Sequence, residues 1–306
     1  MKVYHTIEEL PIFSKTVLTI GSFDGVHLGH KALIDQLLDI SKNEDAESIL
    51  ITFHPHPRKI LGDKIELLTT LDEKIEILSK LGLDHLAIIP FTESFSELSP
   101  LEYVEDFLVK YFHPKAIVIG YDHKFGKNRK GDLKFLESLS EKWQYRVIEI
   151  GAEMIDQLNI SSSGIRKFLS LGNILEANSL LGYPYSFGGI VVHGNKIGKE
   201  LGYPTANLKL ENEEKKIPCA GIFAIKVKVG TKIYNGMLYL GNRPTIEGET
   251  KNVIEVNIFD FSEEIYGESI RVFIIDFIRH DEKFNSLEEL KNTIDKDKSV
   301  ALKLLS

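Results

Sequence analysis

"TIGSFDGVHLGH", residues 19–30, decides the fold. An apolar run, "VLTIGSF" from residue 17, stops at a turn built on Asp24 and Gly25, and a helical pattern follows in which Leu33, Ile34, Leu37 and Leu38 share one face. The same alternation continues to about residue 150: "SILITF", "HLAIIPF", "AIVIG" and "YRVIEI" are short apolar runs without polar alternation, as strands buried on both faces of a parallel sheet require. Between them, Thr70 and Glu73 form a capping box ahead of Leu71, Ile75 and Leu78, with Gly82 placed to end that helix. Ser99, Pro100 and Glu102 open another, carrying Val104, Phe107, Leu108 and Tyr111. Strand and helix in alternation predict an α/β doubly wound sheet, in which ligands bind beyond the carboxyl ends of the strands. The quoted stretch occupies that place after the first strand.

Past residue 182 the period changes. In "IFAIKVKVG" Phe223, Ile225, Val227 and Val229 alternate with Ala224, Lys226 and Lys228, which predicts a strand with one wet face. "FGGIVVHG", "IYNGMLYLG", "VIEVNIFDF" and "IRVFIIDFI" are further strand candidates separated by Gly- or Pro-bearing turns, and together they predict a small antiparallel β-barrel. A last helix begins at the capping box Ser286 to Glu289 and is expected to turn Leu287, Leu290 and Ile294 inward. "SSSGIRKFLSLGNILEANSLLGYPY" reads as two short helices ending at Gly182 and Pro184. The expected domains are therefore 1–184 and 185–306.

Composition narrows the function. The chain has 306 residues, 43% hydrophobic and 27% charged, which fits a globular protein with a sizeable core. No stretch is long and apolar enough for a membrane-spanning helix, and "MKVYHTIEEL" lacks the basic end and apolar block of a signal peptide, so a cytoplasmic location with no membrane partner is expected. Cys219 is the only cysteine, which excludes an internal disulfide and a cysteine-rich zinc site. A net charge of −8 argues against nucleic acid as a partner, since such binding is driven by Lys and Arg neutralising phosphates.

Three readings compete for "FDGVHLGH". A zinc site needs three or four ligands; His27 and His30 supply two, and His54 and His56 of "TFHPHPRK" would have to complete it. A piece of core would not contain Asp24, Gly25 and Gly29. A phosphate site accounts for more of the stretch: Gly29 lets an anion approach the backbone, the following helix offers free N–H groups, and two imidazoles can donate to charge developing in phosphoryl or nucleotidyl transfer.

H-x-G-H after a first strand resembles the signature of the Rossmann-like nucleotidyltransferase superfamily. "TIGSFDGVHLGH" is similar to the opening of the bacterial bifunctional riboflavin kinase/FMN adenylyltransferase (FAD synthetase) family, "GYDHKFGKNRKGD" resembles its G-x-D-F-x-F-G segment, and "ISSSGIR" its S-S-T-x-x-R motif. The resemblance implies that His27 and His30 are catalytic and contact the ATP phosphates. It implies that Gly21, Ser22, Phe23, Asp24 and Gly29 line the ATP site, that Ser162, Ser163 and Arg166 hold the triphosphate and leaving pyrophosphate, and that Asp122 belongs to the flavin pocket. Arginine suits phosphate because its planar fork makes paired, charge-assisted bonds. The chain departs from the family at Ser22 (commonly Asn), His123 (commonly Phe), His54 (often acidic) and Ser163 (often Thr).

In "FGGIVVHGNKIGKELGYPTANL" glycines fall at 188, 189, 194, 198 and 202, a composition that suits either an anion-binding nest or a hairpin followed by an Asx turn. "LGYPTANL" resembles the P-T-A-N motif of riboflavin kinases, and "NGMLYLGNRPT", "VIEVNIFDF", "EIYG" and "FIRHDEKFNSLEEL" follow in family order. By that resemblance Thr205 and Asn207 hold Mg²⁺ and the ATP phosphates, Gly194 and Lys199 are phosphate contacts, Glu255 is the general base and Arg279 covers the flavin. Arg243 is either a further phosphate contact or a surface arginine, and Asn257 stands where His is frequent. The implied activity is phosphorylation of riboflavin by ATP to FMN and adenylylation of FMN by ATP to FAD, in a monomer or weak homo-oligomer. The alternatives are a flavin-binding or regulatory protein with a lapsed activity, and a nucleotidyltransferase with another acceptor.

Overall fold

The computed structural model describes residues 1–151, 160–194, 202–244 and 250–306, with 242–244 and 250–252 as backbone only. The chain divides into two compact units, Met1–Ser162 and Ser163–Ser306, taken here in turn.

Among the described residues the first unit is built on a six-stranded sheet: β1 (Lys2–Tyr4), β2 (Thr16–Ile20), β3 (Glu47–His54), β4 (His85–Pro90), β5 (Pro114–Gly120) and β6 (Arg146–Ile150), in the order β1-β4-β3-β2-β5-β6. Every pairing is parallel. Because side chains alternate across a strand, neighbouring residues enter opposite cores. Leu18, Ile49, Ile51, Ala87, Ile89, Ile117 and Ile119 pack on one face with Val104, Phe107 and Leu108 of helix 100–112. Val17, Leu50, Leu86, Ile88, Ala116 and Val118 pack on the other with Leu33, Ile34 and Leu37 of α1 (Leu28–Glu44). Each such buried side chain contributes about 1.5–3 kcal/mol, and burial on both faces explains why the strands carry no polar alternation. The sheet is the expected doubly wound α/β layer, with β1 added at its edge.

Local signals hold in part. The box at Thr70 is complete, with Thr70 accepting from the Glu73 N–H and Glu73 from the Thr70 N–H. Its helix, α2, covers only Leu71–Leu78, and Gly82 (φ +87°) lies in the turn beyond it rather than at its end. The box at Ser99 is also complete. The helix it opens passes through a π-helical stretch, Tyr103–Val109, and the wider turn carries Phe112 into the core while Tyr111 stays at the margin.

The second unit contains a closed antiparallel barrel: β7 (Ser186–Val192), β8 (Ala206–Leu210), β9 (Gly221–Val229), β10 (Lys232–Pro244), β11 (Thr250–Ile258) and β12 (Ser269–Arg279), in the order β10-β11-β8-β7-β12-β9. β8 is the strand the sequence hid, because its residues lie inside the P-T-A-N motif. Phe223, Ile225 and Val227 fill the barrel as expected, but Ala224, assigned to the wet face, is fully buried. It packs with Met237, Phe259, Ala301 and Leu305 beneath the C-terminal helix Leu287–Leu304. That helix starts on Ser286, whose hydroxyl accepts from the Glu289 N–H, while the Glu289 carboxylate accepts from the Asn285 N–H instead of closing the box. Leu287 points outward, 64% exposed; Ile294, Asp297 and Ala301 make the inner face.

Helices Ser162–Leu171 and Ile174–Leu181 belong to the second unit. Asn178 fixes the latter to the barrel, donating to the Ile274 carbonyl at 3.0 Å and accepting from the Tyr185 N–H at 2.7 Å. Cys219 sits against this layer, its N–H on the Leu169 carbonyl and its thiol pushed up by burial.

Candidate active sites

In the first unit the order of the sheet locates a site. β2 has β3 on one side and β5 on the other, so the loops leaving β2 and β5 diverge at a topological switch point, where open α/β sheets bind ligands. The β2 loop is strained and tied down. Phe23 (φ +47°) and Val26 (φ +37°) take left-handed conformations that only glycine adopts freely, and Gly25 takes a third at +84°. The Asp24 carboxylate, 2% exposed, accepts from the N–H groups of Leu68 at 2.9 Å and Thr69 at 3.0 Å, and the Gly25 N–H donates to the Thr69 hydroxyl at 3.0 Å. The Ser162 hydroxyl donates to the Asp24 carbonyl at 2.8 Å. Asp24, expected among the phosphate contacts, is therefore an anchor whose carboxylate faces backbone amides.

The loop delivers His27 as the cap of α1. Its Nδ1 accepts from the His30 N–H at 3.3 Å, which assigns the ring proton to Nε2 and leaves that N–H as a donor. The two rings stack at 3.6 Å between centroids and 13° between planes, and Phe23 packs 5.0 Å from His30. Burial pushes His27 down to about 4 against the pull of Asp24. It pushes His30 well below its usual value, with His27 and Lys74 adding to the effect. Both are neutral near pH 7, when each imidazole carries one N–H. The His30 Nδ1 is buried with no hydrogen-bond partner among the described residues.

One member of this constellation escaped the sequence reading. Lys74, 6% exposed on α2, donates to the Ser22 carbonyl at 2.6 Å, and its Nζ lies 3.4 Å from the Thr52 hydroxyl. The signal was present: Lys74 falls between Leu71 and Leu78 at helical spacing, on the stripe that faces the core.

The β5 loop reaches the same edge. Asp122 is exposed there; His123 donates its N–H to the Gly120 carbonyl and stacks 5.8 Å from Phe125. Burial pushes His123 down to about 4, with Asp122 opposing and Arg129 reinforcing, and its Nε2 is buried without a partner among the described residues. His54 ends β3 on the exposed side, and the His56 Nδ1 accepts from the Arg58 N–H. Among the described residues no three His, Cys, Asp or Glu side chains gather as metal ligands. Ser163 and Arg166 lie on helix Ser162–Leu171 of the second unit, the serine exposed and the arginine half-buried.

The barrel assembles a different set. β11 lies between β8 and β10, pairing Glu255 with Asn207 on one side and Tyr239 on the other. The Thr205 hydroxyl lies 3.3 Å from Glu255 Oε2. Asn257, the departure near the base, donates to the Pro204 carbonyl at 2.7 Å and so holds the turn that presents Thr205. Gly194 packs against Asn207: a Cβ at 194 would stand 2.0 Å from Asn207 Nδ2, so a side chain there would have to displace the Asn207 amide. Beside it the rings of His193 and Tyr266 approach to 4.0 Å. Lys199 and the Arg243 side chain lie outside the described residues.

Arg279 is engaged within its own unit. Its Nε and Nη2 grip Asp297 at 2.9–3.1 Å, Nη1 meets Glu282 at 3.1 Å, and Phe284 lies beneath the guanidinium at 5.6 Å. Tyr203, just ahead of the P-T-A-N motif, donates its hydroxyl to Asp295 on the same C-terminal helix.

Residues 10–164 match the family model for FAD synthetase, and residues 181–305 that for riboflavin kinase. A Bacillus subtilis bifunctional riboflavin kinase/FMN adenylyltransferase is 37% identical over 99% of this chain and 96% of its own length. The Listeria monocytogenes protein of the same description is 38% identical, covering 92% and 90%, and that of Escherichia coli K12 is 34% identical, covering 93% and 91%. A crystal structure described as a macrolide-efflux protein from Streptococcus pneumoniae superposes with a TM-score of 0.89 at 30% identity over 98% of both chains. In the present chain no described helix is long and apolar enough to cross a membrane.

Proposed function

The chain belongs to the bifunctional riboflavin kinase/FMN adenylyltransferase family, and from that premise we propose which of its residues carry each reaction. Its activities are phosphorylation of riboflavin by ATP to give FMN, and adenylylation of FMN by ATP to give FAD and pyrophosphate. Residues 1–184 serve adenylyl transfer and 185–306 the kinase. An intracellular, cytoplasmic enzyme acting on small molecules, monomeric or weakly self-associating, is the setting for both.

The two nucleophiles differ, and so do the two sites. Riboflavin attacks through an alcohol, which must lose a proton as it bonds to the γ-phosphorus of ATP. Glu255 is the base that takes it, and the observation that carries this assignment is its carboxylate 3.3 Å from the Thr205 hydroxyl, on a strand position paired with Asn207. The hydroxyl of Thr205 and the amide oxygen of Asn207 are hard neutral donors that fit Mg²⁺ shared with phosphate oxygens. The ion, when bound, neutralises phosphate charge there. Gly194 and Lys199 complete the phosphate contacts, and Arg279 shapes the segment that covers the flavin.

FMN attacks through a phosphate oxygen that is already anionic, so adenylyl transfer needs donors rather than a base. His27 and His30 meet that need as neutral imidazoles, and Asp24, already bonded to backbone amides, is not available as a base. The histidines donate to phosphate oxygens as the bond to the α-phosphorus forms and pyrophosphate leaves. Gly21, Ser22, Phe23 and Gly29 shape the approach of the phosphates, Ser162, Ser163 and Arg166 hold the triphosphate, and Asp122 borders the flavin.

Two variants test this assignment. Glu255→Ala should lower FMN formation by about 10²- to 10⁴-fold and leave adenylylation of supplied FMN intact. His30→Ala should do the reverse, lowering FAD formation by about 10²-fold or more. Loss of both activities in either variant would contradict separate sites.

A further inference from the structure

A lysine buried to 6% exposure is costly unless the fold uses its charge. Lys74 sits on the core-facing stripe of α2, where leucine or methionine would pack without that cost. No carboxylate pairs with it among the described residues; the nearest opposing charge acting on it is Asp24, whose oxygens already accept from Leu68 and Thr69. Its ammonium instead donates to the Ser22 carbonyl at 2.6 Å, and the Thr52 hydroxyl donates to the same oxygen at 3.1 Å. One peptide carbonyl at the root of the strained loop is thus held from behind by a strand residue and a cation.

We propose that Lys74 is a positioning residue for adenylyl transfer: a buried ammonium that clamps the Ser22 carbonyl and supplies positive charge behind the loop that presents His27 and His30. The inference rests on the assignment of adenylyl transfer to this site and extends it. Neutral imidazoles donate hydrogen bonds but bring no net charge, whereas the reaction gathers negative charge from FMN and the triphosphate. In a low-dielectric interior a fixed cation stabilises that charge far more than it would in water. The clamp acts on the same atoms: the Ser22 carbonyl precedes Phe23, whose left-handed conformation sets the course of the chain to His27.

The groups facing Lys74 are Ser22 and Asp24 from the loop, His30 from the start of α1, and Thr52 from β3. Burial lowers Lys74 to about 8 with Asp24 partly opposing, so its charge disappears as pH rises through that value. FAD formation should fall over the same range, while the barrel's kinase reaction should not follow it.

The test measures FAD formation from supplied FMN and FMN formation from riboflavin, from neutral to alkaline pH, in the wild type, Lys74→Met and Lys74→Arg. Lys74→Met should lower kcat for FAD formation by at least about tenfold, with a smaller change in KM for FMN and no alkaline limb near pH 8. Lys74→Arg should recover much of the rate and move the limb upward, because a guanidinium keeps its proton. Kinase activity should be unchanged in both. If Lys74→Met does not fold, the arginine variant and the wild-type profile still decide. A wild-type limb that persists unmoved in Lys74→Arg overturns the inference, as does a Lys74→Met enzyme with wild-type kcat. A wild type that makes no FAD at all overturns the assignment beneath it instead.

Discussion

The tautomer of His27 follows from a single bond: because its Nδ1 caps α1, its Nε2 carries the proton and is left as a donor. Its burial has a second consequence. With a folded value near 4 and an unfolded value near 6.5, the unfolded chain binds the extra proton between those limits, so stability rises with pH across that window and is lost as pH falls through it. Urea titrations of the first unit should show this slope, on the order of 3 kcal/mol in total, and His27→Gln should flatten it. Asp24 is an anchor on the same terms: Asp24→Ala leaves two buried N–H groups unpaired and should cost about 3 kcal/mol, seen as a lower urea midpoint, while riboflavin phosphorylation persists. The turn and helix start at the histidine motif were legible because Asp24-Gly25 and the apolar stripe beyond His30 are local patterns. The work of Asp24 was not, since a carboxylate on the amides of Leu68 and Thr69 is a contact between distant segments that no local pattern encodes. Lys74 was readable in principle, as a charge on an apolar helical stripe.

Elements were legible where one period dominates. The central strands of the first unit stood out because both faces are buried, and the boxes at Thr70 and Ser99 because both partners lie within one turn. β8 was hidden, since its alternation, Leu208 and Leu210 around Lys209, is confined to five residues behind a glycine-rich stretch. The C-terminal helix misled for a related reason: Leu287 lies at its first turn, beyond the barrel surface, and the inner face begins nearer Ile294. What docks this helix is polar. Arg279 grips Asp297 from the end of β12, and Tyr203 reaches Asp295 from the segment just ahead of β8, so one helix braces two segments of the barrel unit. Asp297→Ala removes the paired charge-assisted bonds and leaves Arg279 with Glu282 alone, which should destabilise the barrel unit by about 1.5–3 kcal/mol. Hydrogen exchange should show the amides of Leu287–Leu304 losing protection before those of β9 and β10.

At the scale of the molecule, two architectures serve two kinds of nucleophile. In the proposed assignment the open parallel sheet places neutral donors at a switch point, where an anionic phosphate would need no base, and the closed barrel sets a carboxylate beside a hydroxyl, where an alcohol would need one. Periodicity made this division of fold visible, a change from buried runs to alternating strands, although the compact units part at Ser162, ahead of the boundary expected near residue 184. The direct test of the account incubates the purified chain with Mg²⁺ and ATP, offers either riboflavin or FMN, and separates the flavins by chromatography. The account requires FMN, followed by FAD, from the first mixture and FAD from the second. FAD from FMN with no product from riboflavin would contradict a working kinase in the barrel, and no turnover of either flavin would contradict the account as a whole.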